Sequence, residues 1–357
     1  MNSRSPLAWL LEPANASARF LCLRDLLDRP MGDPELTAAQ RAIPQQEPAR
    51  AILDAQWPDG YWVAPGVGYS PKHKATVWQI IYLAALGAPR TASVDRACAY
   101  VLDNSRLPDG RFTAHTGDLS SRRHHARGAV ACLNGNLLRA MARLGYDDRR
   151  LEQSLEALAE MVLRHRFCCR FNAPKPLPAR MADGLPCAWG AIKALAAFAQ
   201  VPAADRSPAV GQAIGAGVGF LLDDEAANTS LDPAGYPTAT EPSPLWFKFG
   251  FPLGHTSDLV ELLEVLGQLG LGQDPRLESI ADLIQAKQDE AGRWRLEYTP
   301  QNTWTDFGQE GLPNKWVTLR ALRALKGCGR WAVLSGTGDQ ARSGQARTHS
   351  TMQEGIP

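Results

Sequence analysis

Three phrases recur along this chain, QWPDGYW at Gln56–Trp62, LPDGRF at Leu107–Phe112 and KQDEAGRW at Lys287–Trp294, and each separates a polar helical stretch from an apolar one. Each phrase predicts a tight turn. The glycine supplies a backbone free to take positive φ, and the aromatic that follows can fold back over the end of the preceding helix. In the first phrase Pro58 also stops the short stripe of Ala51, Ile52 and Ala55, because its ring removes a donor and pushes the residue before it out of helical geometry. A turn of one kind, repeated with a helix on either side, confines the chain to stacked or ringed helical hairpins.

The helices themselves alternate in character. Phe20, Leu21, Leu23, Leu26 and Leu27 predict a buried helix stopped by Pro30. After Pro71, the residues Val77, Ile80, Ile81, Leu83, Ala84 and Leu86 cover too wide a stripe for a surface helix, and Gly87 is placed for a left-handed cap. The same breadth and ending return in CLNGNLLRAMARLG, closing at Gly145, and in LVELLEVLGQLG, closing at Gly270; CAWGAIKALAAFAQ and KWVTLRALRALKG, the latter ending at Gly327, complete the apolar set. Between them lie the more polar stretches 35–56, 91–107, 148–166, 207–224 and 275–288. The repeat is roughly 55 to 60 residues, and no strand series accompanies it. One repeat departs from the pattern: FCCRFNAPKPLP stands where the glycine turn belongs. Six apolar helices alternating with polar ones predict an all-α closed ring of about six helical hairpins over residues 1–330. The starts of the inner helices then converge at one end, where chemistry would sit. Residues 331–357, rich in Gly, Ser, Thr, Gln and charge, have too little apolar surface to order themselves and are expected to form a disordered tail.

Charge and cysteine usage narrow the partners. Lys plus Arg 38 against Asp plus Glu 37 leaves a net charge of +1 with no block of one sign, which argues against nucleic acid and favours a hydrophobic small molecule. The 7 scattered cysteines do not form a secreted disulfide framework, so a reducing cytoplasm is expected. Glu12 interrupts PLAWLL before a signal-peptide core is reached, and no stretch has the roughly 18 apolar residues of a membrane span, leaving at most peripheral membrane contact.

The three turn phrases resemble degenerate Gln-Trp repeats of squalene and terpenoid cyclases. The chain is thereby similar, over Trp9 to Gly327, to the terpenoid cyclase and protein prenyltransferase superfamily, and within it to short bacterial prenyltransferase or squalene-cyclase-like repeat proteins. The resemblance implies an α/α toroid and an enzyme acting on an isoprenoid or other hydrophobic substrate in a central cavity. The Asp-x-Asp-Asp acid of class II cyclases has no counterpart here: Asp147-Asp148 and Asp223-Asp224 fall at helix ends, as caps or turns.

Candidate residues gather at the inner-helix starts. Tyr69, His73, Trp78, Trp189, Trp246, Trp304 and Trp316 could line an apolar pocket whose π faces hold an isoprenoid or a cation, or could be core. His255 and Asp258, three apart in GHTSDL, could act as a catalytic acid/base pair, or Asp258 could cap the helix it precedes. Lys315 could bind a diphosphate or carboxylate, or snorkel at a rim, as could Lys72 and Lys74. Cys132 and Cys187 begin successive inner helices and Cys169 lies in the anomalous loop, so three thiols are expected to converge. Helix N-termini favour thiolates, and a zinc ion with His124, His125 or water as fourth ligand is the metal expectation. The arrangement is similar to the zinc sites of lanthionine cyclases; the alternative is three small buried apolar residues. Three functions stay open at this point: an isoprenoid toroid enzyme, zinc-assisted chemistry on a thiol or small nucleophile, and a non-catalytic binding toroid.

Overall fold

The structure, a computed structural model, describes residues 6–115, 128–169, 185–222 and 243–330. The expected tail, 331–357, lies outside the described residues, as do His124, His125 and Asp223-Asp224. The described residues are mostly helical. In chain order the helices are α1 Pro6–Leu10, α2 Ala16–Leu21 with a π-helical turn Cys22–Leu26, α3 Pro34–Ala42, α4 Ala49–Asp54, α5 Thr76–Ala85, α6 Ala92–Asn104 and α7 Ala131–Arg143. They continue with α8 Arg150–His165, α9 Ala188–Phe198, α10 Pro208–Leu222, α11 Leu259–Gln268, α12 Glu278–Ala286 and α13 Lys315–Gly327. A two-residue antiparallel pair, β1 Cys168–Cys169 with β2 Leu185–Pro186, stands in the repeat that lacks its glycine turn.

Burial follows the alternation in the sequence. In α9 every residue except Trp189 is buried, whereas α12 buries only Ala281 and Ile284. The buried helices touch in sequence order: α5 packs on α7, α7 on α9, α9 on α11 and α11 on α13, and α13 packs on α2 and the π-helical turn after it. At that last junction the Trp316 indole donates to Ser17 Oγ at 3.0 Å, and Ser17 Oγ donates to the Leu86 carbonyl at the end of α5 at 2.7 Å. No helix among the described residues is long and apolar enough to cross a membrane.

The three turn phrases share one hydrogen-bond pattern. In each, the glycine amide closes the turn: Gly60 N–H donates to Trp57 O, Gly110 N–H to Leu107 O and Gly292 N–H to Asp289 O, with the glycines at φ 95, 93 and 76°. The closing aromatic then locks the turn to the helix that follows. Trp62 N–H donates to Thr76 Oγ1 at 3.1 Å, Trp294 N–H to Thr318 Oγ1 at 2.9 Å and Phe112 N–H to Asn134 Oδ1 at 2.7 Å. Both indoles also reach back, Trp62 Nε1–H to Ile52 O and Trp294 Nε1–H to Ile284 O, each at 2.7 Å. The clamp thus works by burial and hydrogen bonding at Trp62, the last aromatic of QWPDGYW, while Tyr61 stacks outside on Trp57. Inner helices end as expected at Gly87, Gly145 and Gly270 with positive φ. The last does not: Gly327 stays helical and Gly329, at φ 74°, supplies the cap.

The buried helices are less apolar than their breadth predicts. Lys193 Nζ lies 2.6 Å from Glu261, which Arg139 also reaches at 2.7 Å, joining α9, α7 and α11. Arg323 lies 2.8 Å from Glu264, and Arg320 2.7 Å from Asp258, joining α13 to α11. A net hydropathy summed over each helix hides these residues, yet their spacing betrays them. Arg139 and Arg143, Glu261 and Glu264, and Arg320 and Arg323 recur at three or four residues, which puts each pair on one face.

Candidate functional site

The starts of α5 and α9 and the loop before α11 meet in one aromatic cluster. Trp78, in the first turn of α5, lies at 5.1 Å from the Tyr69 ring, 5.3 Å from His73 and 6.4 Å from His255. His255 in turn lies edge-on to Trp189, in the first turn of α9, at 6.5 Å, and Trp189 is 5.9 Å from Trp246. These edge-to-face and tilted pairs match the quadrupole preference of aromatic rings. The loop that delivers His255 is pinned from three helices: Asn136 Nδ2–H of α7 donates to Gly254 O, Arg320 of α13 donates to Gly250 O, and Asp258 caps α11 by accepting from Glu261 N–H.

Polar atoms inside this cluster divide into satisfied and orphaned. Trp78 Nε1–H donates to Tyr69 O at 2.8 Å, and His73 Nδ1 meets Gln301 O at 3.0 Å. Trp189 Nε1, Trp246 Nε1, Ser257 Oγ and His255 Nδ1 are buried with no hydrogen-bond partner among the described residues. Orphaned buried donors and acceptors cost about 1–3 kcal/mol each, so several at one place mark a position for something else to bond. Burial, with Lys72, His73 and Lys193 as cationic neighbours, lowers the His255 pKa to about 4, so its imidazole is neutral at physiological pH. Burial likewise lowers His73, against the bond to Gln301 O.

Asp258 does not pair with His255. Its carboxylate is bidentate to Arg320 at 2.9 and 2.7 Å and accepts from Gly250 N–H and Glu261 N–H, which fills its lone pairs and leaves it a cap and an ion-pair partner. Since His255 Nδ1 has no partner among the described residues, the acid/base pair expected from the spacing is replaced by a lone imidazole. Two further candidates sit outside the cluster. Lys315 points to the N-terminal segment, 2.7 Å from Glu12 and over the Trp9 ring. Trp316 is stacked on Phe251 at 5.1 Å and bonded to Ser17, a core position between α13 and α2. Trp304 lies beside the cluster, its indole donating to Lys74 O at 2.9 Å with the Lys74 ammonium over its ring.

The three thiols do come together. Cys187, the N-cap of α9, is hydrogen-bonded to Cys169, and that bond, then burial, then the proximity of Cys169 and Cys132 hold its pKa well above the ordinary thiol value. Burial pushes Cys132 up to about 12, Cys169 adding to the shift and Lys193 opposing it. Tyr69 is raised chiefly by burial and then by Cys132 and Cys169, which places the thiols beside the aromatic cluster. Burial and mutual proximity thus favour the protonated form of Cys132 and Cys187 over the thiolate expected at a helix start. Among the described residues no group of three or more His, Cys, Asp or Glu side chains is arranged to hold a metal ion; His124 and His125, the expected further ligands, lie outside them. No family model matches this chain, and no curated protein matches it either.

Proposed function

We propose that α2, α5, α7, α9, α11 and α13 close into a ring, an α/α toroid, whose N-terminal mouth binds a hydrophobic small molecule of the isoprenoid class through Trp78, Trp189 and Trp246. The successive contacts of the inner helices and the α13–α2 junction support the ring. One observation carries the binding site: Trp189 Nε1, Trp246 Nε1 and His255 Nδ1, without partners among the described residues, within a single aromatic cluster. A ligand with an apolar body and an oxygen could stack on the rings and accept from the indoles, relieving groups that the surrounding side chains leave unsatisfied. Neutral His255 is the proton acceptor of this site, able to take a proton from a bound carbocation, leaving an alkene. Asp258 is withdrawn into its pair with Arg320, so this reading uses no initiation by the Asp258 carboxylic acid.

The test is to present the purified chain with a mixed isoprenoid extract and identify retained and altered compounds by mass spectrometry. Trp189→Ala, at a half-buried ring, should lose retention on the order of tenfold or more while keeping most of its stability, and Trp78→Ala, at a fully buried ring, should lose retention at a cost of about 3–5 kcal/mol. His255→Phe should retain ligand and form no product. Retention by both tryptophan variants together with a large loss of stability would make these rings core and end the proposal; retention without product in the parent would leave a binding toroid.

A further inference from the structure

A second site lies at the opposite end of the same helices. The C-terminal ends of α7, α9, α11 and α13 border a crevice of about 720 Å³, lined by Arg24, Arg143, Arg323 and Lys326 together with Asp25, Asp28 and Glu264. Arg143, Glu264 and Arg323 also line a smaller cavity of about 60 Å³ further in, where Arg139 joins them, so the crevice leads inward past these three side chains.

Cations at helix C-termini are ordinary, since they satisfy free carbonyls and the helix dipole. Lys326 does this, donating to the carbonyls of Asp25 and Leu26 and pairing with Asp28 at 2.6 Å. Arg143 does not. Among the described residues it makes no hydrogen bond, and its nearest carboxylate, Glu264, lies 3.9 Å away and is already held by Arg323 at 2.8 Å. Asp25 is held twice, by Arg24 at 2.5 Å and by Arg323 at 2.8 Å. Glu261, deeper in, is held by Arg139 and Lys193. Five cations, Arg24, Arg139, Arg143, Lys193 and Arg323, therefore share three carboxylates, Asp25, Glu261 and Glu264. Arg139 Nε and Arg323 Nε are buried without hydrogen-bond partners among the described residues, as is Glu264 Oε1, whose contact with Arg323 is a close ion pair and not an aligned hydrogen bond. Burial, joined by repulsion from Arg139, Arg323 and Arg24 and opposed by Glu264, lowers the Arg143 pKa.

We infer that this crevice binds a phosphate dianion, free or as the head of a larger molecule, with Arg143 as its principal ligand. An anion answers the excess of cations over carboxylates in the crevice wall, guanidinium forks bind phosphate oxygens bidentately, and the volume is that of a small-ligand site. The site is separate from the aromatic mouth and does not depend on what binds there.

The experiment titrates the full chain with inorganic phosphate by calorimetry at near-neutral pH, chloride being used to hold ionic strength. A parallel arm measures co-sedimentation with phosphatidylcholine vesicles carrying phosphatidate. The parent should bind phosphate saturably, and Arg143→Gln should weaken it on the order of 10- to 100-fold, the loss of one or two charge-assisted bonds. Arg143→Lys should fall between. Arg143→Gln should also match or exceed the parent in thermal stability, since it removes a repelled cation, whereas a purely structural Arg143 would leave a destabilised variant. Binding in the vesicle arm alone, lost in Arg143→Gln, assigns the phosphate to a lipid head. No saturable binding in either arm, equal effects of chloride and phosphate, or unchanged affinity in Arg143→Gln would overturn the site.

Discussion

His255 shows how one side chain links fold to chemistry. It faces Lys72, His73 and Lys193, all cationic when protonated, and burial together with these neighbours keeps it neutral down to about 4. In the unfolded chain the same imidazole takes up its proton near the ordinary value of 6.5. Between those two pH values the unfolded state holds more protons, so stability is full above the upper one and is lost as pH falls toward the lower. The expected contribution is about 3 kcal/mol, since each tenfold change in proton affinity is worth about 1.4 kcal/mol. Urea midpoints across that window should fall more steeply for the parent than for His255→Phe; parallel slopes would mean the imidazole is solvated and not the buried base proposed. Burial opposes the charge on Glu261 and Asp25, yet their cationic neighbours outweigh it and hold each at about 2, so these carboxylates lose their share only at lower pH, which separates the two effects. His255 is legible in the sequence because it precedes a helix start. The cap at Asp258 is legible too, but its ion pair is not, because its partner Arg320 stands 62 residues away and only packing brings them together.

Among the elements, the turn phrase is the most legible part of the fold, and its role lies in its last aromatic, which joins three pieces of backbone: the turn, the helix before it and the helix after it. Trp62 and Trp294 do so through equivalent partners, whereas Phe112, having no indole N–H, is held by an Asn134 side chain that both accepts from its amide and donates to its carbonyl. Replacing Trp62 or Trp294 with phenylalanine should cost about 1–3 kcal/mol, since the Ile52 or Ile284 carbonyl loses its indole partner, and alanine about 3–5 kcal/mol. Chemical denaturation of the two series should give matching losses; a cost near zero at either position would show that the repeats are not equivalent. The convergence of Cys132, Cys169 and Cys187 is legible for a related reason, since starts of inner helices share one end. The protonated state of Cys132 and Cys187 is not, because a thiol's charge is set by burial that spacing alone does not report. The charged interior escapes a reading by composition because Lys193 sits in an otherwise apolar helix, and because arginines and glutamates there suggest a solvated face unless their partners are known.

For the whole molecule, the junction of α2 with α13 and with the end of α5 is what distinguishes the proposed ring from an open stack. It is held by Trp316 to Ser17, Ser17 to Leu86, Lys315 to Glu12 and Arg323 to Asp25. Removing residues 1–30 would uncover the apolar faces of α5 and α13 together, and the truncated chain should bind a dye for exposed hydrophobic surface and unfold without a cooperative transition. A truncated chain that melts sharply near the parent temperature would indicate an open superhelix in which α2 is an optional cap.

The same junction governs how the chain reaches its native state. The other principal packing contacts of the inner helices join neighbours along the sequence, while Ser17 and Trp316 are 299 residues apart. Closing so long a loop costs about 5 kcal/mol in chain entropy, and that cost falls on a single late event after the hairpins have stacked into an arc. An arc awaiting closure presents two complementary ends, and the ends of two such arcs fit each other as well as they fit themselves. If the proposed ring holds, refolding at high concentration therefore favours exchanged dimers, each closed by the α2 of the other copy, with dilution restoring the monomer.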